Sequence, residues 1–315
     1  MKALEFTPGR AGARPVARPA PDGGTLPWGR EYVMVRPEQF RVDYRINPFM
    51  DPSDQPDPVR ALRQWEVLAA TARTLGATVE AIEPRADAPD MVYAMNLGLA
   101  VRSGAGDRVV MSHMRFAERR METETAALAF ERLGYATAYV GRDGVGGHFE
   151  SGDAFPFGGD LLVGYGKRSD EIGLKGLAAE LGVRVRGLRI VHPAMYHLDL
   201  AFCPLDDRRA LVCPDAFDAA SARTLLDLVP EPLVLSVEEA LTFCANSIVI
   251  GRTVLMPACP DRVRSALAGR GFDVAIVDMS EFHKGGGSVR CMTNPLDITI
   301  GRDLRPVTGG ALDLP

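Results

Sequence analysis

Apolar and polar positions along the chain change period in a repeated order. Stretches with apolar residues three and four apart run up to a helix-stopping residue, then give way to stretches with apolar residues two apart. The five instances are ARTLGATVEAI around Gly76, FERLGYATAYV around Gly134, AAELGVRVRGL around Gly182, LLDLVPEPLVL around Pro230 and ALAGRGFDVAIV around Gly271. The first period predicts an amphipathic helix and the second a half-buried strand. Glycine just past a helix supplies the left-handed residue that ends it. Asp57-Pro58, and Asp215 before Phe217, read as helix starts.

Further β-like runs, each broken by a turn, lie between these units: NLGLAVRSGAGDRVVM, ESGDAFPFGGDLLVGY, HLDLAFCPLDDRRALV and CANSIVIGRTVLMP. The repeat is therefore a ββαβ unit, present five times. A stacked array would need capping repeats at its ends, and none is evident, so radial closure is the better solution. The expected fold is α/β, a closed five-bladed αβ propeller with pseudo-fivefold symmetry. An ordinary α/β protein with helices between strands is the alternative.

Closure would bring distant residues together. Glu150, His197, Cys244 and Cys291 follow one another at intervals of 47 residues, and Asn96 lies 54 before Glu150. All five are expected to begin the same strand of successive units, so they would converge at one end of a central axis. Cys291 follows HKGGGSVR, a glycine-rich stretch that allows backbone near a ligand and suits a movable flap. A thiol with a base nearby is a nucleophile, an imidazole is the natural acid–base group, and a carboxylate can orient it. Cys291, His197 and Glu150 are the candidates for those roles. Asp199, two after His197, should share its side of a strand, and Asp90 precedes the equivalent strand of the first unit. Two carboxylates facing one planar cation match a guanidinium. Arg119 and Arg168 are candidate holders of a substrate carboxylate, although each also reads as a solvated residue at a helix start.

Composition narrows the setting. The 36 basic and 41 acidic residues give a formal charge of −5 with no long like-charged run, which disfavours nucleic acid and anionic membranes as partners. Five cysteines without CxxC spacing argue against a disulfide framework and fit reduced thiols in the cytoplasm. No long apolar run or leader is present, and residues 1–28, rich in proline and glycine, read as a flexible tail before a single catalytic domain at 29–315. The histidines are scattered, so a metal-dependent ureohydrolase lacks its ligand cluster, and no metal is expected. GRDGVGG and GGDLLVGYG lack the fingerprint spacing for a nucleotide, so no cofactor is expected.

The motifs VDYRINPFM, PDMVYAMNLGL, RFAERRMET, FESGDAF, GYGKRSD, YHLDLAFCPL and GGGSVRCMT together resemble the guanidine-modifying superfamily, over residues 29–315. That superfamily includes arginine deiminases, dimethylarginine hydrolases, amidinotransferases and arginine dihydrolases, all five-bladed αβ propellers (penteins). The resemblance implies a metal-free hydrolase in which Asp90 and Asp199 clamp a guanidinium and Cys291 attacks its carbon. His197, supported by Glu150, would protonate the leaving amine and then activate water against the S-alkylthiouronium. Arg119 and Arg168 match positions that hold the substrate carboxylate.

Within the superfamily, Met95-Asn96 stands where the well-known dimethylarginine hydrolases tend to carry an acidic pair, and those enzymes lack the counterpart of Asp199. Asn47 in INPFM, Asn96 in AMN, and HLDLAFCPL resemble the arginine dihydrolase branch. The implied reaction takes free arginine through bound citrulline to ornithine, ammonia and carbon dioxide. A methylated arginine substrate is the nearest rival, and amidinotransfer the next. A non-catalytic arginine-binding protein on the same fold is opposed by the intact Cys291, His197 and Glu150. The implied partner is a small guanidino molecule, and a homo-oligomer is left open.

Overall fold

Two sequence-adjacent strands can pair in parallel only through a crossover, and here helices supply every one. The computed structural model describes residues 24–315. Glu31–Val35 pairs with Thr78–Ile82 across helix Pro58–Thr74, and Arg108–Met111 with Ala136–Tyr139 across Ala117–Arg120 and Glu122–Arg132. Asp160–Tyr165 pairs with Arg184–Arg189 across Glu171–Leu181, and Arg209–Val212 with Glu231–Val234 across Ala219–Leu228. Thr253–Met256 pairs with Asp273–Ile276 across Asp261–Gly269.

The first strand of each pair also takes an antiparallel partner on its other edge. These are Asn294–Pro295, Gly98–Val101, Ala154–Phe157, Phe202–Pro204 and Ile248–Ile250. Five sheets of one topology result, and one of them joins the first described strand to Asn294–Pro295, with Tyr32 opposite Pro295 and Val33 opposite Asn294. Ala311–Asp313 adds a fourth strand beside Arg184–Arg189. The antiparallel inner strands are buried at every residue, whereas the outer strands carry exposed positions.

Local chemistry sets the helix ends. Asp57 accepts from the N–H groups of Val59 and Arg60, with Pro58 at the first helical position. Ala61, Trp65, Leu68, Ala69 and Ala72 then form a buried stripe, where each large side chain contributes about 1.5–3 kcal/mol. Gly182 closes its helix with φ 61°, and the chain leaves Ala219–Leu228 as an extended Val229 before Pro230. One expected start moves. Asp215 lies in a separate tight turn, Phe217 is extended and buried, and Asp218 is the cap, accepting from Ser221 N at 2.8 Å.

Residues 1–23 of the expected tail lie outside the described residues, but its last part does not behave as a tail. Leu26 and Trp28 are both buried in the main apolar cluster, so packed chain begins before Gly29. All five cysteines are free. Among the described residues no helix is long and apolar enough to cross a membrane.

A tight turn precedes each inner strand, as in Ala94–Leu97, Ser151–Asp153 and Leu198–Leu200. These turns are hydrogen-bonded in succession. Met95 N donates to Cys291 O at 2.9 Å, Gly152 N to Asn96 Oδ1 at 2.8 Å, and Leu198 N to Asp153 Oδ1 at 3.0 Å. Asn246 Nδ2 donates to Asp199 O at 3.2 Å, and Cys291 N to Asn246 Oδ1 at 3.2 Å, which returns the chain of bonds to its start. Glu150 and His197 therefore stand in extended backbone at the heads of these turns and Cys291 lies in a turn, none of them on the strands where the repeat places them. The reason is that the short helical turn, not the strand pleat, carries the chain into each sheet.

Candidate active site

The turns bring together groups that are far apart in sequence. His197 Nε2 lies 2.8 Å from Glu150 Oε2, with both side chains fully buried. Glu150 also accepts from Arg115 N at 2.9 Å and from Arg168 Nη1 at 3.3 Å. Arg168 is held by Ile46 O at 3.0 Å and between the rings of Phe116 and Tyr196. Because Nε2 is the atom facing a carboxylate, the imidazole is fixed as the Nε2–H tautomer when neutral. Its Nδ1 is buried and has no partner among the described residues.

Cys291 is the meeting point of a second set. Its Sγ lies 3.3 Å from Asp199 Oδ2 and 3.1 Å from Asn246 Nδ2. Gly152 ties both sets together: a Cβ there would fall 2.6 Å from Asn96 Oδ1, 3.4 Å from Asp199 Oδ2 and 3.4 Å from His197 Cγ. Asp90 takes a hydrogen bond from Tyr44 Oη at 3.1 Å and has Arg119 Nε 4.0 Å away. A cavity of about 260 Å³ is lined by Asp90, Asn96, His197, Cys291, Tyr93 and Gly287, among others.

Burial by itself would raise the Glu150 carboxyl. Arg168, the His197 hydrogen bond and Arg119 outweigh it and hold Glu150 well below the usual carboxylate range. Asp90 and Asp199 are instead raised, because burial exceeds the pull of Arg119 on the first and of His197 on the second. Burial, then the neighbouring Asp199, pushes the Cys291 thiol well above its ordinary value. A resting site of this kind holds too little positive charge. One oxygen of each aspartate, Asp90 Oδ1 and Asp199 Oδ1, is buried without a partner among the described residues, as is His197 Nδ1. Unpaired buried acceptors are costly, and a planar cation with several N–H donors would satisfy them.

The other expected contacts fall as follows. Asn47 accepts from Phe49 N at 2.9 Å, as a turn amide does, and also donates to Gly285 O at 3.0 Å, which ties the glycine-rich stretch to the site. Tyr93 Oη to Phe282 O at 2.7 Å and Tyr196 Oη to Gly286 O at 2.6 Å hold it further. Arg119 and Arg168 are buried, not solvated. Both line the cavity, but Arg119 also donates twice to Glu122 at 2.8 Å and once to Asp90 O at 3.1 Å. Cys244, although on the 47-residue interval, donates to Glu239 O and is absent from the cavity wall. Asp199 is positioned by its tight turn and not by strand alternation. Sequence reasoning missed Asn246, Tyr93, Tyr196 and Glu122. Asn246 had a usable signal, since it stands 47 residues after Asp199. Among the described residues no group of three or more His, Cys, Asp or Glu could hold a metal ion.

Residues 36–298 match the family model described as N,N dimethylarginine dimethylhydrolase, eukaryotic. The chain belongs to this dimethylarginine dimethylaminohydrolase family. Like its family, it is a hydrolase of C–N bonds in linear amidines, of arginine metabolism and of pentein α/β fold. The N(G),N(G)-dimethylarginine dimethylaminohydrolase of Mycobacterium tuberculosis is 37% identical over 85% of this chain and 86% of its own length. The bifunctional arginine dihydrolase/ornithine cyclodeaminase AgrE of a Nostoc species is 34% identical over 83% of this chain, a match that spans 37% of that longer protein. Among solved structures, the N-terminal domain of ArgZ, a cyanobacterial arginine dihydrolase, is similar in a cysteine-to-serine variant bound to substrate. Its TM-score is 0.79 at 30% identity, covering 86% of this chain and 99% of that one. A cysteine nucleophile in this enzyme fits that variant.

Proposed function

We propose that this enzyme hydrolyses the guanidino group of free arginine, with Cys291 as nucleophile, and carries it through bound citrulline to ornithine, ammonia and carbon dioxide. The observation that carries the reading is the pair of orphaned oxygens on Asp90 and Asp199. An unsubstituted guanidinium has N–H donors on both terminal nitrogens and can supply both oxygens. N,N-dimethylation strips one terminal nitrogen of its donors, which would leave one buried carboxylate oxygen unpaired at a cost of about 1–3 kcal/mol. The arginine dihydrolases AgrE and ArgZ among the relatives support the same substrate.

In the proposed mechanism the guanidinium docks against Asp90 and Asp199, and Arg119 and Arg168 face its carboxylate end. The added positive charge offsets Asp199 and favours the Cys291 thiolate, which the empty site opposes. Asn246 Nδ2 donates to the sulfur. Attack on the guanidinium carbon gives a tetrahedral adduct, and its collapse breaks a C–N bond. The thiol proton passes to His197 Nδ1, giving an imidazolium that Glu150 stabilises, and the departing nitrogen takes that proton from Nδ1. Water, activated by the same nitrogen, then displaces the sulfur and leaves citrulline. A second round on citrulline, held with the help of Asn96 and Asn47, releases a second ammonia and carbon dioxide.

A second reading, hydrolysis of dimethylarginine to citrulline and dimethylamine, is favoured by the family model and the mycobacterial relative. Amidinotransfer would differ only in the amine that replaces water at the thiouronium. The fold reading goes with these: a closed five-bladed propeller forming one catalytic domain. The shared sheet topology, the sheet that pairs Glu31–Val35 with Asn294–Pro295 and the returning chain of turn hydrogen bonds support it.

Incubation with arginine, citrulline, monomethylarginine and dimethylarginine in turn, with products identified by mass spectrometry, tests the substrate. Ornithine from arginine is expected. Dimethylamine release with arginine inert would overturn it, and a trapped adduct on any cysteine but Cys291 would overturn the mechanism.

A further inference from the structure

Arg290, next to the proposed nucleophile, is the largest fully buried side chain among the described residues, with 1% of its surface exposed. Its Nε, Nη1 and Nη2 atoms are all buried, and none meets an acceptor among the described residues. An arginine keeps its charge under essentially all conditions, so the site holds a guanidinium whose in-plane donors face no oxygen. Leaving a charge buried and unpaired costs several kcal/mol or more in the general case. The ring of Phe155 lies 4.7 Å from its Cζ and that of Trp28 5.6 Å, which offsets part of the cost through the ring faces. Ring faces do not accept the N–H groups at the edge of the guanidinium.

Arg290 lines a cavity of about 200 Å³ together with Trp28, Tyr32, Phe155, Cys203 and Val249. This cavity shares no residue with the one that holds Cys291. Its wall comes from the inner strands Ala154–Phe157, Phe202–Pro204 and Ile248–Ile250, whereas the catalytic residues lie in or at the heads of the turns that precede the inner strands. The cavity's own ionisable groups bring no counter-charge, and Asp199, outside its wall, acts on the guanidinium through space without a hydrogen bond. Burial pushes the Cys203 thiol up to about 12 and raises the Tyr32 phenol further, so both are neutral at physiological pH.

We propose that this cavity is a binding site for one small monovalent anion, a halide or a compact carboxylate such as formate, held by the in-plane donors of Arg290 between Trp28 and Phe155. A guanidinium edge presents parallel donors that suit such an anion. The space is small and partly open, so it suits a small ion and excludes a nucleotide or a phosphorylated metabolite. The aromatic walls favour a weakly hydrated ion. The site is independent of which guanidine the enzyme hydrolyses.

The chain has two tryptophans, and only Trp28 lines this cavity, so a quenching ion reports on it directly. Full-length protein is exchanged into halide-free buffer and titrated with bromide at constant ionic strength, balanced with gluconate. Tryptophan emission should fall along a saturating curve, and the curve should become linear and shallow in Arg290→Met and in Trp28→Phe. In parallel, the wild-type melting temperature should rise with chloride, bromide or formate at fixed ionic strength. Binding to the folded state alone increases the folded-to-unfolded ratio about 11-fold at ten times Kd. The chloride and formate arms tell a halide site from a carboxylate site. Should Arg290→Met fail to fold, the wild-type melts and the Trp28→Phe titration still decide. Linear quenching of equal slope in wild type and variants, with flat melting temperatures, would overturn the proposal, because water or an acidic group of the chain would then fill the cavity. Saturable quenching that survives Trp28→Phe would place the ion elsewhere and overturn it too.

Discussion

Asn246 grips Cys291 at two atoms: its Nδ2 donates to Sγ over 3.1 Å, and its Oδ1 accepts the Cys291 N–H over 3.2 Å. The same Nδ2 reaches Asp199 O at 3.2 Å, so one amide fixes the nucleophile against the carboxylate beside it. Its hydrogen bond pulls the thiol downward, against the larger upward push of burial and Asp199. Asn246→Ala should therefore shift the pH profile of Cys291 alkylation to higher pH. It should also lower kcat by about 10–100-fold, the worth of a hydrogen bond to a charged sulfur, with little change in KM. An alkylation profile identical to that of wild type would show that the amide only braces the backbone.

Glu150→Gln separates two duties of one carboxylate. It leaves Arg168 buried without its charged partner, which should cost about 3–5 kcal/mol at neutral pH. The folded-state carboxyl lies well below its ordinary value of 4.5, so its stabilisation is present above about that pH and is lost as pH falls toward the depressed value. Chemical denaturation across pH should show a gap between wild type and Glu150→Gln that is flat from pH 6 to 8 and shrinks below about 4.5. A gap that widens in acid would contradict the assigned charge state. Turnover should fall as well, since His197 loses the group that stabilises its imidazolium.

Much of this was legible in the sequence, and for a physical reason. A helix followed by glycine or proline and then a strand is a local signal, and the repeat of that signal at Gly76, Gly134, Gly182, Pro230 and Gly271 implied crossovers in five sheets. The 47-residue interval then brought Glu150 and His197 within 2.8 Å. It failed at Cys244, because a tight turn precedes each inner strand and rotates the chain, so that Asn246 and not Cys244 reaches the nucleophile. The burial of Arg119 and Arg168 was equally hidden. Their partners Glu122, Glu150 and the Ile46 carbonyl are side-chain and backbone choices that no periodicity encodes. Asp215 read as a cap because its spacing resembled one, and the buried Phe217 moved the start to Asp218.

Asp199 should trade stability for function. Burial raises its carboxyl above the ordinary 3.8, with His197 offsetting only part, so above that value the folded empty site must retain a proton or bury an uncompensated charge. A raised carboxyl destabilises the fold as pH climbs from its unfolded toward its folded value. Asp199→Asn removes that penalty and still accepts from the Cys291 thiol. Without substrate it should melt higher than wild type at pH 8, by a margin that vanishes as pH falls below about 3.8. Its kcat/KM should nonetheless fall about 10–150-fold, the loss of a charge-assisted contact to a cationic substrate. A variant less stable than wild type at pH 8 would refute the idea of an electrostatically unsatisfied resting site.

The glycine-rich stretch before Cys291 is pressed against Tyr93, and that contact decides what it tolerates. A Cβ at Gly287 would lie 2.3 Å from Tyr93 Cε1 and 3.1 Å from Cys291 Cβ. The ring has little room to yield, since its hydroxyl is bound to Phe282 O at 2.7 Å and Phe40 meets it edge-on at 5.8 Å. Gly287→Ala should therefore cost about 1–3 kcal/mol by overpacking. It should lower kcat more than that loss of stability explains, because the displaced backbone carries Cys291 with it. Tyr93→Leu in the same chain removes the obstructing ring edge and should recover part of the stability lost. A double-mutant cycle in denaturant should then give a favourable coupling of about 0.5–3 kcal/mol between the two positions. Strict additivity would mean that the glycine is required for some property other than its approach to Tyr93.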